Sequence, residues 1–157
     1  VVQIMESMLG EAPAKGTVFV REKYPYESGN VAVVIGVTGA LSGQVALTMQ
    51  REVALAMSAV LLMEESVAEF DEYAQSALAE TANMIVANAT IGLSDSGYIC
   101  DITPPTIITG SSLRISCREN VKTLVIPLSF TFGEVEANLS VAETAAIKDM
   151  PRAFSRK

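Results

Sequence analysis

The order of the predicted elements repeats along the chain, and this order constrains the fold more than any single motif. A short predicted helix over residues 1–12 precedes a first group of strands, at residues 17–26, 31–37 and 43–49. Two further helices, residues 52–63 and 66–91, precede a second group, at residues 98–102, 112–117, 122–132 and 134–141. The pattern predicts an α+β fold of duplicated α-β-β-β units, which form an antiparallel sheet with the long helices packed on it.

Helix boundaries follow from local signals. Gly92 is the predicted stop of the long helix, and the 94–97 loop follows it. A last helix is predicted to start near Ala142 and to fray in the basic tail, residues 152–157. The 157 residues contain no Pro/Gly/Ser-rich linker, so residues 1–157 are predicted to form one domain.

Cysteine content and hydropathy together predict a cytoplasmic protein. The longest apolar run, residues 53–63, is shorter than the roughly 20 residues that a membrane span needs. No charged start followed by an apolar stretch resembles a signal peptide. The two cysteines, Cys100 and Cys117, are interpreted as buried thiols in a reducing compartment.

Composition excludes several classes of function. The chain has no histidine, which excludes a Ser-His or Cys-His nucleophile and an imidazole metal ligand. Two cysteines cannot complete a four-ligand zinc site. With 11 basic and 18 acidic residues the net charge is −7, and no Lys/Arg cluster offers nucleic acid a basic face. Any chemistry must therefore use carboxylates, amides, hydroxyls or a partner.

The long predicted helix carries a polar face opposite an apolar one. Ser76, Glu80 and Asn83 are spaced by four and three residues, which places them side by side on a helix. The opposite, apolar arc consists of Leu78, Ala82, Ile85 and Ala89. The simplest interpretation of the polar arc is a solvated helix face. The alternative is that a carboxylate and an amide on a rigid helix enter the site of another protein.

The motif around these residues resembles the signature of the CheC/CheX/FliY family of chemotaxis phosphatases. Ser76, Glu80 and Asn83 match its pattern of an acidic residue or Ser, three residues, Glu, two residues and Asn. Pro105 matches the proline that follows some twenty residues later. The likeness in element order covers about residues 30–141 and is sharpest over residues 71–110.

The resemblance implies a phosphatase, a hydrolase that removes the phosphoryl group from the aspartate of a CheY-type response regulator in a chemotaxis or related two-component pathway. Asn83 would orient the attacking water, and Glu80 would pair with the active-site lysine of the regulator. Ser76 would make a supporting contact, and Pro105 would shape a loop near the helix. The divalent metal, Mg²⁺, would belong to the receiver domain of the regulator, so this chain would carry no cofactor of its own.

The number of sites is predicted from the first helix. Family members with two sites carry Glu-x-x-Asn on both repeat helices, whereas Glu6 is followed by Leu9 at the Asn position. One site per chain is therefore expected, which is most similar to the CheX branch and implies a homodimer.

Three other interpretations compete with this one. The same fold could serve as a non-catalytic docking or scaffold module that binds a receiver domain or a flagellar signalling protein. Neighbouring acids, Glu64–Glu65 and Asp71–Glu72, do not converge on one helix face and are not expected to bind a metal. The Ser116–Arg118 segment lacks the anion-cradling residues of a cysteine phosphatase.

Overall fold

The computed structural model describes residues 2–117 and 121–145, which form three helices and ten strands. The helices are α1 (Val2–Leu9), α2 (Arg51–Leu62) and α3 (Glu72–Asp95). The strands are β1 (Ala14–Lys15), β2 (Phe19–Arg21), β3 (Tyr26–Ser28), β4 (Val31–Gly39), β5 (Leu41–Met49), β6 (Cys100–Ile102), β7 (Thr106–Thr109), β8 (Leu113–Ile115), β9 (Thr123–Phe130) and β10 (Gly133–Glu143).

Eight of these strands form one antiparallel sheet in the order β1-β9-β10-β5-β4-β6, in which β2 also pairs with β9 and β7 with β4. At its centre β5 and β10 pair along their length, from Met49 opposite Val135 to Leu41 opposite Glu143. Gly43 fits there because a Cβ at this position, whose φ is +152°, would collide with the Ser140 carbonyl oxygen. The predicted α+β class, with helices packed on an antiparallel sheet, is confirmed.

The two halves of the chain are interleaved in this sheet. The hairpins β4–β5 and β9–β10 correspond in their spacing along the chain. β9 begins at residue 123, 92 residues after the start of β4 at residue 31, and β10 begins at residue 133, 92 residues after the start of β5 at residue 41. Each half sends its edge strands to the other hairpin: β1 and β2 pair with β9, whereas β6 and β7 pair with β4. Neither half therefore completes its part of the sheet alone.

Alternation along the strands separates two faces of the sheet. Side chains at every second position of β4, β5 and β10 join the buried faces of the three helices in one apolar core. The largest fully buried members include Met5 of α1, Met57 of α2, Leu78 of α3 and Leu47 of β5. The helices therefore cover this one face.

A two-stranded ribbon, β3 with β8, lies outside the main sheet. Its Tyr26 is buried, with the Arg21 guanidinium 4.0 Å from the ring centroid. Arg21 also forms a 3.0 Å ion pair with Glu136. Burial, together with the nearby Cys117, raises the pKa of Tyr26 to about 12. The ribbon thus packs through an aromatic and cationic contact distinct from the apolar core.

Both predicted limits of the long helix are wrong. The helix begins at Glu72 rather than near residue 66, because the Asp71 side chain accepts a 3.0 Å hydrogen bond from the Ala74 N–H and caps it. It continues through Gly92, where an added Cβ would meet nothing. The stop is Gly97, in the left-handed region at φ +91°. The Tyr98 N–H there bonds back to the Leu93 carbonyl, as in a Schellman motif.

The predicted strands also need correction. The predicted segment 17–26 divides into β2, which joins the main sheet, and β3, which leaves it. The short edge strands β1 and β7 were missed, because their partners are distant in the chain. β10 extends to Glu143, beyond the predicted start of the last helix near Ala142. After β10, the described residues include only Thr144 and Ala145 of the predicted helix, and both are helical. Cys100 and Cys117 are free thiols as expected, but half-buried rather than buried.

Replacement of Leu78 tests how firmly α3 is attached to the core. Leu78→Ala should lower the free energy of unfolding by about 3 kcal/mol, because it leaves a cavity at a fully buried position. Leu124→Ala, the same change at a partly exposed site on β9, should cost under about 1 kcal/mol. Urea unfolding followed by circular dichroism measures both, and equal losses would contradict this description of the α3 contact.

Candidate functional site

The candidate site lies on α3, whose opposite face anchors it to the protein. Leu78, Ala82 and Ile85, three members of the predicted apolar arc, are buried, and Ala89 is half-buried. The helix packs against α1, α2 and strands β4, β6 and β7. Side chains on its outer face are therefore presented by a helix that is fixed along one side.

Polar contacts also fix the first turns of α3. Besides the Asp71 cap, Gln75 donates a 2.8 Å hydrogen bond from Nε2 to the Phe70 carbonyl. The buried Ser58 hydroxyl of α2 lies 3.2 Å from the Ala74 carbonyl oxygen and 2.8 Å from that of Ala54. These contacts tie the helix start both to the preceding loop and to α2. Ser76 and Glu80 follow within the next two turns.

The polar residues Ser76, Glu80 and Asn83 lie on the outer face of α3. Ser76 and Glu80 are exposed, and Asn83 is half-buried. Within the described part of the chain, their side chains make no hydrogen bond or ion pair. This arrangement leaves one carboxylate and one amide, three residues apart, available to another molecule.

The surface around these residues projects outward. Surface clefts of about 380, 360 and 460 Å³ lie elsewhere, on the sheet and beside α2, and none is lined by a residue of α3. Small-molecule sites are concave and enclose most of their ligand. A helix ridge suits a different use, which is to enter a depression on a macromolecule.

Pro105 lies in the break between two edge strands. β6 and β7 both pair with β4, and residues 103–105 interrupt them. Prolines at 104 and 105 have no N–H to donate, so the ladder stops there. The Gly36 N–H donates to the Thr103 hydroxyl at 2.8 Å, which holds the break against β4. Pro105 is half-buried on the edge that supports α3, and its structural role stays a prediction.

The first-helix motif compared with Glu80 and Asn83 lies on α1. Glu6 is exposed, and Leu9, at the position where Asn would be needed, is buried in the core. One site per chain stays a prediction.

Other candidate features do not form sites in the described residues. The Cys, Asp and Glu side chains of these residues include no group of three placed to hold a metal ion. Asp71, one of the acids noted in the sequence, caps α3 instead. Across residues 2–117 and 121–145, no helix is both long enough and apolar enough to cross a bilayer.

Comparison with known proteins identifies relatives. Residues 31–129 match the protein family described as chemotaxis phosphatase CheX. Over 113 residues the chain is 31% identical to the CheY-P phosphatase CheX of Thermotoga maritima. This alignment covers 71% of this chain and 72% of that protein. The family match, residues 31–129, includes the hairpin β4–β5, α3, the break at Pro105 and most of β9.

Solved structures agree with this match. The crystal structure of chemotaxis protein CheX from Desulfovibrio desulfuricans superposes with a TM-score of 0.80 and 24% identity, over 90% of this chain and 92% of that one. CheX in the CheX-CheY-BeF3-Mg complex of Borrelia burgdorferi superposes with a TM-score of 0.75 and 27% identity, again over 90% and 92%. At 24% identity, the likeness to the Desulfovibrio desulfuricans structure shows that the two chains share a fold.

The Asp71 cap provides a test of how the site helix is held. Asp71→Ala should lower the free energy of unfolding by about 1 kcal/mol, because the Ala74 N–H loses its partner. Asp71→Asn keeps a side-chain oxygen and should retain most of this stability. Glu69→Ala, at an exposed position just before the cap, is the control. If Asp71→Asn destabilises as much as Asp71→Ala, the capping hydrogen bond does not hold the helix start.

Proposed function

The chain belongs to the CheX family of chemotaxis phosphatases, and from this we propose that it hydrolyses the aspartyl phosphate of a CheY-type response regulator. The relative in Thermotoga maritima is named for CheY-P, and the Borrelia burgdorferi structure contains CheX together with CheY. One observation carries the proposal for this chain: Glu80 and Asn83 lie together on the outer face of an anchored helix, without partners in the described residues.

In the proposed mechanism Asn83 positions the nucleophile. Its amide oxygen accepts a hydrogen bond from a water molecule, and its amide N–H₂ donates to a neighbouring group on the receiver domain. The water oxygen forms a bond to phosphorus while the bond to the aspartate oxygen breaks. Inorganic phosphate and a free carboxylate result, and the water protons pass to phosphate and solvent. Since an acyl phosphate is already reactive, orientation of water supplies much of the rate acceleration.

Glu80 is proposed to fix the geometry of docking. A lysine of the receiver domain beside the aspartyl phosphate would pair with its carboxylate, one helical turn from Asn83. Without this pair the two proteins could still meet, but the amide would be less well aligned with phosphorus. Glu80 therefore acts mainly on affinity and alignment.

The remaining groups have supporting roles in this proposal. Ser76, one turn before Glu80, would contact the rim of the receiver site, and Pro105 would keep the edge beneath α3 in place. Mg²⁺ on the receiver domain would neutralise phosphoryl oxygens, and the described residues of this chain offer it no ligand cluster. We also propose a homodimer in the cytoplasm, as the resemblance implies.

The central test is Asn83→Ala. We expect its turnover of a phosphorylated CheY-type receiver to fall by about 100-fold, because the attacking water loses its orientation. Its affinity for the receiver with Mg²⁺ and beryllofluoride should change little. Asn88→Ala removes an exposed amide from the same helix and should retain wild-type turnover. Phosphate decay on radiolabelled receiver measures the rate.

Two results would contradict the catalytic proposal. Equal decay with wild type and Asn83→Ala, while both bind, would exclude the role of the amide. Binding by the wild type without any shortening of the phosphate lifetime would favour a non-catalytic docking module.

A second variant separates docking from chemistry. Glu80→Gln should weaken receiver binding by about fivefold to thirtyfold, because a neutral amide replaces one member of a desolvated ion pair. Glu72→Gln removes the same charge from an exposed position two turns earlier and should bind like wild type. Isothermal titration at two salt concentrations measures both. A loss shared by Glu72→Gln would mean that overall charge, rather than a specific pair, controls docking.

A further inference from the structure

The outer face of α3 exposes three large apolar side chains. Tyr73, Met84 and Ile91 are 77%, 42% and 62% exposed. We name these three residues the apolar stripe. Single exposed apolar residues are normal, but several aligned on one helix face indicate an interaction surface.

The apolar stripe runs through the proposed site. Tyr73 precedes Glu80 by seven residues, Met84 follows Glu80 by four, and Ile91 follows Met84 by seven. Each interval is close to a whole number of turns, so all four side chains lie along one line on the helix. Tyr73 and Ile91 are separated by roughly 27 Å, at 1.5 Å per residue. The stripe thus extends apolar contact to both sides of Glu80.

Shape and charge limit what can cover this surface. The ridge is convex, which does not suit a small ligand. α3 carries Glu72, Glu80 and Asp95 but no Lys or Arg, so anionic lipid and nucleic acid would be repelled. Contact with the same face of a second copy would bring two Glu80 carboxylates together without a cation. A folded protein with an apolar patch beside a basic residue fits all of these constraints.

We propose that Tyr73, Met84 and Ile91 are docking contacts for the receiver domain and determine its affinity rather than its turnover. This inference rests on the proposed function, since the receiver is the partner that brings a lysine to Glu80. Interface centres are enriched in aromatic residues and methionine, which Tyr73 and Met84 would supply here. The small residues Ala77 and Ala87 on the same side allow close approach of the partner.

The test compares double alanine variants. Met84→Ala with Ile91→Ala removes apolar contact while keeping good helix formers on α3. It should raise the Kd and KM for the receiver by about tenfold to a hundredfold and leave kcat within about twofold of wild type. Val60→Ala with Ile108→Ala, at exposed apolar positions on α2 and β7, is the control and should match wild type.

The receiver loaded with Mg²⁺ and beryllofluoride gives Kd, and the phosphorylated receiver gives KM and kcat. Wild-type values for the stripe variant, with Asn83→Ala still inactive, would overturn the docking role alone. A stripe variant that changes the sedimentation coefficient instead of receiver affinity would assign the stripe to contact between copies and would also overturn it. A wild type that neither binds nor dephosphorylates any CheY-type receiver would overturn the proposed function together with this inference.

Discussion

The antiparallel pairing of β5 with β10 is the contact on which the rest of the architecture depends. It joins the last strand of one half to the last strand of the other over their length, from Leu41–Glu143 to Met49–Val135. The pairing places β4 and β9 on either side, where each receives edge strands from the opposite half. α3 packs on β4, β6 and β7, so its support comes from strands of both halves. A shift of one residue in the central register would turn the core-facing side chains away from the helices.

A helix held in this way can carry a site without forming a pocket. The apolar arc through Leu78 fixes one side, the Asp71 cap fixes the start, and the Schellman motif at Gly97 fixes the end. The polar side chains on the outer face are then not needed to hold the helix in place, so they remain available to another protein. The cost of ordering the backbone at the site is met by folding rather than by binding.

Local patterns were sufficient for much of this organisation, and non-local contacts account for the rest. The apolar arc of α3 and the long hairpin strands have strong periodicity, and both were predicted. β1 and β7 consist of two and four residues with no pattern of their own and exist only through partners far away in the chain. Gly92 is predicted to end the helix because glycine commonly ends helices. The buried face of α3 and the cap at Gly97 stabilise the helix by more than a glycine inside it costs, about 1 kcal/mol. Glu80 and Asn83 are predicted from their spacing within a family motif, and the structure adds that Glu80 is exposed and Asn83 half-buried on the outer face of α3.

The absence of histidine and the acidic character of the chain are compatible with the proposal that an amide, Asn83, lies at the reacting end of the site. A phosphorylated aspartate presents negative charge, and α3 already carries Glu72, Glu80 and Asp95 without a compensating cation. A carboxylate at position 83 would add repulsion against the phosphoryl group, whereas the neutral amide of Asn83 can hold a water molecule without that penalty. In the proposed mechanism Glu80, one turn away, would pair with a cation beside the phosphoryl group instead of facing that group. The separation of the two side chains by three residues would then divide charge pairing from water positioning along one helix face.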